Sequence, residues 1–129
     1  MEKYINKITL EIAETPSQHE QGLMYRKSMD NDSGMLFKFT SPRKLKFWGM
    51  NTYLPLDIAF INDDNIIEKI CHIVPFSEKV VYSDNDCTKA LEMNAGYFAD
   101  NNIRVGDEMS LVEDENFAVF KKIKEKTGN

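Results

Sequence analysis

Residues 56–73 read LDIAFINDDNIIEKICHI, and how this stretch divides decides the fold. Two apolar runs, LDIAFIN and IIEKICHI, flank Asp63-Asp64-Asn65, residues whose short polar side chains bond the backbone and turn a chain. The arrangement predicts a β-hairpin. Working outward towards the N-terminus, KITLEIA (7–13) alternates, with Ile8, Leu10 and Ile12 on one face and Lys7, Thr9 and Glu11 on the other. GMLFKF (34–39) reads as a second strand, TSPRK as a turn around Pro42, and KLKFW as the start of a third. On the C-terminal side TKALEMN sets Leu91 and Met93 opposite Ala90 and Glu92, and IRVGDEMSLVE closes with a strand interrupted at Gly106-Asp107.

Helical signals are fewer. Thr15, Pro16 and Gln18 form the start of a capped helix, predicted through SQHEQGLMYRK with Leu23 and Met24 turned inward. Gly22 in its body marks either close packing or an early helix end. NAGYFADNN suggests one or two helical turns. In NFAVFKKIKEKTGN, Phe117, Phe120 and Ile123 stand three apart, which predicts a helix docked by its Phe side and frayed at a lysine-rich, solvated end. Residues 74–86 are polar and irregular and read as a long surface loop. The sum is an α+β domain, predominantly antiparallel β, barrel- or sandwich-like with two or three short helices. It occupies residues 1–112, with 113–129 as a C-terminal helical or frayed extension.

The 129 residues suit one domain, and 42% hydrophobic content is enough for a core without metals or disulfides. Twenty-one acidic against 16 basic residues give a net charge of −5, the wrong sign for a protein that neutralises phosphates, so no nucleic-acid partner is expected. The N-terminus lacks the apolar core of a signal peptide and no stretch is long enough for a transmembrane helix, which suggests a cytoplasmic protein with no membrane span. Cys71 and Cys87 are expected as free thiols. Two histidines without His-x-x-His or Cys-x-x-Cys spacing, and the lack of a glycine-rich phosphate loop, give no reason to expect a metal or cofactor. Asp30, Asp32, Asp84 and Asp86 read as solvated turns.

QGLMYRKSM, GMLFKF, FWGMNTYLPLDIAFI, LEMNAG and IRVGDEM occur in an order and spacing that resembles the domain-of-unknown-function 192 family, over roughly residues 5–112. The resemblance implies a compact, largely β domain, in a family whose members often follow an export leader. It implies no reaction. The chain departs from the family pattern beside its tryptophan, where Gly49 and Met50 stand in place of a methionine and a variable residue.

The candidate site starts in KFWGMNTYLPLD (46–57). Trp48 most often fills core in such a setting. Asn51 and Thr52 are turn formers, and Asp57 is a carboxylate set between Leu56 and Ile58 that needs a partner if buried. Arg26 is its expected counter-charge. In one reading this is a polar pin at the PLD corner. In another, Arg26, Trp48, Asn51, Thr52 and Asp57 line a cleft that Glu92 and Asn94 enter from the next strand, a binding site for a sugar or other polar small molecule. Two further readings stay open. Asp57 and Glu92 could pair as hydrolytic carboxylates, at about 5 to 9.5 Å. Tyr53, Phe76, Val80 and Tyr82 could form a protein-interaction surface on the 74–86 loop.

Overall fold

The computed structural model describes residues 4–123 and builds them around a curled sheet. The strands are β1 (Tyr4–Ala13), β2 (Ser33–Phe47), β3 (Leu56–Ile61), β4 (Ile67–Ile73), β5 (Val81–Asn94), β6 (Glu108–Val112) and β7 (Phe117–Lys121), in the order β4-β3-β5-β2-β1-β7-β6. Helix α1 (Pro16–Gln21) lies between β1 and β2, α2 (Tyr97–Asp100) follows β5, and a 3-10 turn at Glu113–Glu115 joins β6 to β7. Among the described residues β1 and β2 pair in parallel, and the other neighbouring strands pair antiparallel. A parallel pair needs a crossover, and α1 with the loop after it supplies one. The two sheet edges then meet at one end. Ile66 bridges Glu108, Met109 N–H donates to the Asn65 carbonyl at 2.8 Å, and Ile67 N–H to the Asp107 carbonyl at 3.0 Å. Curling into a half-barrel thus covers the exposed rows of donors and acceptors that edges otherwise present.

The hairpin at 56–73 forms as expected. Asn62 Oδ1 accepts from the Asp64 and Ile66 N–H groups, and Asn65 takes φ = 65°, a conformation asparagine tolerates. The central strands bury both faces. Leu36, Ala59, Ile61, Leu91 and Met93 face the inside of the half-barrel with Phe98, Met109 and Phe120. Met35, Phe37, Ile58, Phe60 and Ala90 face the other side, where Leu23, Leu45, Leu54 and Ile73 cover them. Among the described residues no helix is long and apolar enough to cross a membrane.

Three expectations change. TSPRK does not turn the chain back: β2 runs through it, irregular between Lys38 and Arg43 where Pro42 can donate no ladder bond. Its outer half pairs with Val81–Cys87, so the loop expected over 74–86 is confined to 74–80. Lys44, Lys46, Asp84 and Asp86 make this ribbon look like loop, but main-chain bonding needs no apolar side chains. Ser83 adds to it, accepting from Leu45 N–H at 2.9 Å and donating to the Asn85 carbonyl at 2.6 Å beside Asp84 at φ = 67°. The C-terminal stretch is a strand, not a helix. Ala118 and Phe120 are fully buried while Phe117, Val119 and Lys121 are only partly so, a period of two that overrides the threefold Phe spacing. Because β7 sits between β1 and β6, the segment 117–121 is part of the sheet; residues 124–129, with Lys124 and Lys126 of the lysine-rich end, lie outside the described residues.

Candidate functional site

The corner at 48–57 is built by close backbone approach. A Cβ on Gly49 would lie 2.0 Å from the Val74 carbonyl oxygen, so no other residue fits without moving the 74–77 loop. Gly49 N–H donates to the Ser77 carbonyl and its own carbonyl accepts from Phe76 and Thr52 N–H groups. Gly49 is therefore a seam between two loops. Trp48, next to it, is not core: it is 45% exposed, beside Val80 and above the outer end of β2. Thr52 is buried, its hydroxyl donating to the Met50 carbonyl at 3.0 Å. Asn51 takes φ = 55°, and its carbonyl accepts from Tyr25 N–H at 2.9 Å. Tyr25 itself stands at φ = 68°, strained for a bulky side chain, and is largely exposed.

Asp57 is fully engaged. One carboxylate oxygen accepts from His72 Nδ1 across the β3–β4 ladder at 2.9 Å, and the other from Gly96 N–H at 2.8 Å, tying the corner to the turn after β5. Arg26 is not its counter-charge. The guanidinium makes a two-pronged pair with Glu11, one prong at 2.8 Å, which holds the Glu11 carboxyl below its usual range. Asn94 donates to the Met29 carbonyl at 2.9 Å and so secures the loop before β2. These three residues stand apart from the opening beside Trp48.

That opening is a cleft of about 550 Å3 between α1 with the turn after it, the 48–52 turn and the outer part of β2. Aromatic rings form part of its wall, among polar and charged residues. Phe37 packs edge-on against Phe47 at 4.9 Å, and His19 lies over Phe39 at 4.3 Å between ring centres. Gly22 ends α1 at φ = 48°, with space for a Cβ closed off by Phe37 at 3.2 Å, so the helix stops where the wall begins. The Thr15–Gln18 capping box fixes the other end of that helix.

Glu92 lines this cleft from the sheet beneath and is only 5% exposed. Its cross-strand neighbours are Met35 and Ile58, both apolar. No hydrogen bond or ion pair reaches its carboxyl among the described residues, and burial alone raises its pKa from 4.5 to about 8. Buried carboxyls are ordinarily paired, so this one is an exception that calls for a reason. Glu92 and Asp57 cannot act together on one bond. Asp57 pairs in register with Met93 and Ile58 with Glu92, so the two acids point to opposite faces of the sheet.

Of the seven residues expected at the site, the fold brings Trp48, Asn51, Thr52 and Glu92 to one cleft and leaves Arg26, Asp57 and Asn94 outside it. It adds His19, whose short helix reads as a polar surface element. Its Nε2 faces two acceptors, the Ala13 and Lys38 carbonyls at 3.0 and 2.9 Å, and so must carry the ring proton. The ring then presents Nδ1 as its remaining polar atom. Both cysteines are free. The buried Cys87 thiol is pushed up to about 11 by burial, with Glu68 and Asp86 adding to it, and stays protonated.

The family follows from most of the chain. The model of the domain-of-unknown-function 192 family, described as "Uncharacterized ACR", matches residues 1–111, and the protein belongs to that family. Its fold is similar to that of a protein from Sinorhizobium meliloti 1021 described as a candidate transcription regulator. The two are 40% identical over 84% of this chain and 92% of the other, with a TM-score of 0.76. A protein of unknown function from Novosphingobium aromaticivorans DSM 12444 also has a TM-score of 0.76, at 32% identity over 78% of this chain and 73% of its own. No curated protein matches the chain significantly.

Proposed function

We propose that this chain is a binding module for a small polar molecule with a flat or apolar body, held in the cleft beside Trp48. The observation that carries the reading is the buried carboxyl of Glu92, without a partner among the described residues, at the base of a recess walled in part by aromatic rings. A concave, mostly apolar site with a few converging polar groups and one strongly perturbed acid is the usual form of a ligand pocket. Phe47 and Trp48 offer faces for a ring, and Asn51, His19 Nδ1 and Glu92 offer hydrogen bonds, a combination that suits a carbohydrate or a similarly sized polar ring. Thr52 shapes the turn that carries Asn51. Asp57, Asn94 and Arg26 act as fasteners that hold the loops around the cleft.

Titration of Trp48 fluorescence with a panel of small saccharides, polyols and polar rings tests this. A saturable change is expected, and Asn51→Ala is expected to remove it while the protein still melts cooperatively. A silent panel would end the proposal.

A further inference from the structure

Resting on that reading, we infer that the cleft selects an organic cation: an ammonium head directed at Glu92, carried on a ring or short apolar body that packs against Phe47 and Trp48. An amino sugar is the carbohydrate that meets both requirements.

Glu92 lacks a partner for its carboxyl among the described residues. Its side neighbours in the sheet, Met35 and Ile58, supply neither charge nor hydrogen bond. The other titratable or charged groups facing the cleft are His19 and Glu20 from α1, Tyr25 from the following turn, and Lys46 from β2. None of them is bonded to the Glu92 carboxyl among the described residues, and its proton is retained through burial alone rather than through repulsion by a second acid. A lone acid in this state is completed by a positive charge. An incoming ammonium offers hydrogen bonds that a desolvated carboxylate accepts strongly, and in a site shielded from water that pair is far stronger than one at the surface. Aromatic rings add attraction for a cation over their faces.

The alternatives fit less well. An anionic ligand would meet a second acid at the rim, Glu20, and only Lys46 in its favour, which is exposed and screened by salt. A neutral polyol could accept one hydrogen bond from protonated Glu92 but would leave the buried acid as costly to ionise as before. Binding of a cation makes a specific demand on protons. Empty, Glu92 holds its proton up to about pH 8. Pairing with an ammonium requires that proton to leave for solvent, so near pH 7 each binding event releases about one proton. Affinity should then strengthen about tenfold for each pH unit gained below 8 and level off above it.

Three probes of matched shape test the assignment: cyclohexylammonium, cyclohexanol and cyclohexanecarboxylate, with glucose as a neutral polyol, each titrated by Trp48 fluorescence and by calorimetry in buffers of differing protonation enthalpy. The expected result is saturable binding of cyclohexylammonium at least tenfold tighter than of cyclohexanol, with close to one proton released at pH 7. Glu92→Gln should abolish both the preference and the release. The proton count on the unaltered protein stands by itself if that variant does not fold. Equal or tighter binding of cyclohexanol, the carboxylate or glucose without proton release would overturn the charge assignment and leave the binding cleft in place. No response to any of the four would overturn both.

Discussion

Asp57 and Glu92 sit on adjacent strands of one sheet, and their surroundings are opposites. Asp57 faces one side with both oxygens occupied, by an imidazole and a main-chain amide that lock the corner before β3 to the turn after β5. Glu92 faces the other side beside Met35 and Ile58, and no hydrogen bond or ion pair reaches its carboxyl among the described residues. A satisfied acid contributes to the fold and resists change. An unsatisfied one costs stability, and such a cost is tolerated where a partner arrives from outside. The contrast separates an acid that fastens the fold from the acid on which the proposed binding rests.

The largest effect should come from removing the unsatisfied charge. Glu92 ionises near pH 4.5 in the unfolded chain and near 8 in the fold. Between those values the folded state keeps a proton that the unfolded state has lost, so stability falls as pH rises through that window and is flat above it. Glu92→Gln should therefore stabilise the protein by roughly 3–5 kcal/mol at pH 8.5 and by little near pH 4.5. Urea unfolding at the two pH values measures this, and a variant less stable than the parent at pH 8.5 would break the comparison.

Gly49→Ala comes next. Its new Cβ has no room before the Val74 carbonyl, and about 2–3 kcal/mol of destabilisation is expected, with the cleft's outer lip displaced and the Trp48 emission shifted. Asp57→Ala leaves an amide and an imidazole without their acceptor. It should cost about 1–3 kcal/mol in melting experiments while ligand titrations stay unchanged. A loss of binding without loss of stability would mean the two acids are not separate in function. Arg26→Ala should do least, about 0.5 kcal/mol, because its pair with Glu11 is solvent-exposed, and that small effect should shrink further in high salt.

The elements legible in the sequence are those where local and tertiary signals agree. The 56–73 hairpin shows its turn residues and two apolar runs, and the Thr15–Gln18 box marks the start of α1 as it stands. The outer halves of β2 and β5 were hidden because their side chains are polar and the pairing is held by main-chain bonds. The strand at 117–121 was hidden because phenylalanines three apart imitate a helical stripe when the buried residue between them is an alanine. Trp48, Asn51, Thr52 and Glu92 could be chosen from their motifs, but the face each residue occupies depends on cross-strand register. A shift of one position in β3 against β5 would reverse it, and no local pattern records that parity. His19 carried no signal: its helix has no buried residues, and its place over Phe39 depends on a contact twenty positions along.

The position of β7 has a consequence for how the protein is made. The strand slots between β1 and β6. During translation β1 must wait for a neighbour synthesised about a hundred residues later, and until then two unzipped strands flank a vacant lane. Shortening the chain ahead of Phe117 would make that waiting state permanent, and the expected outcome is capture by other chains through those open edges rather than a slightly smaller domain.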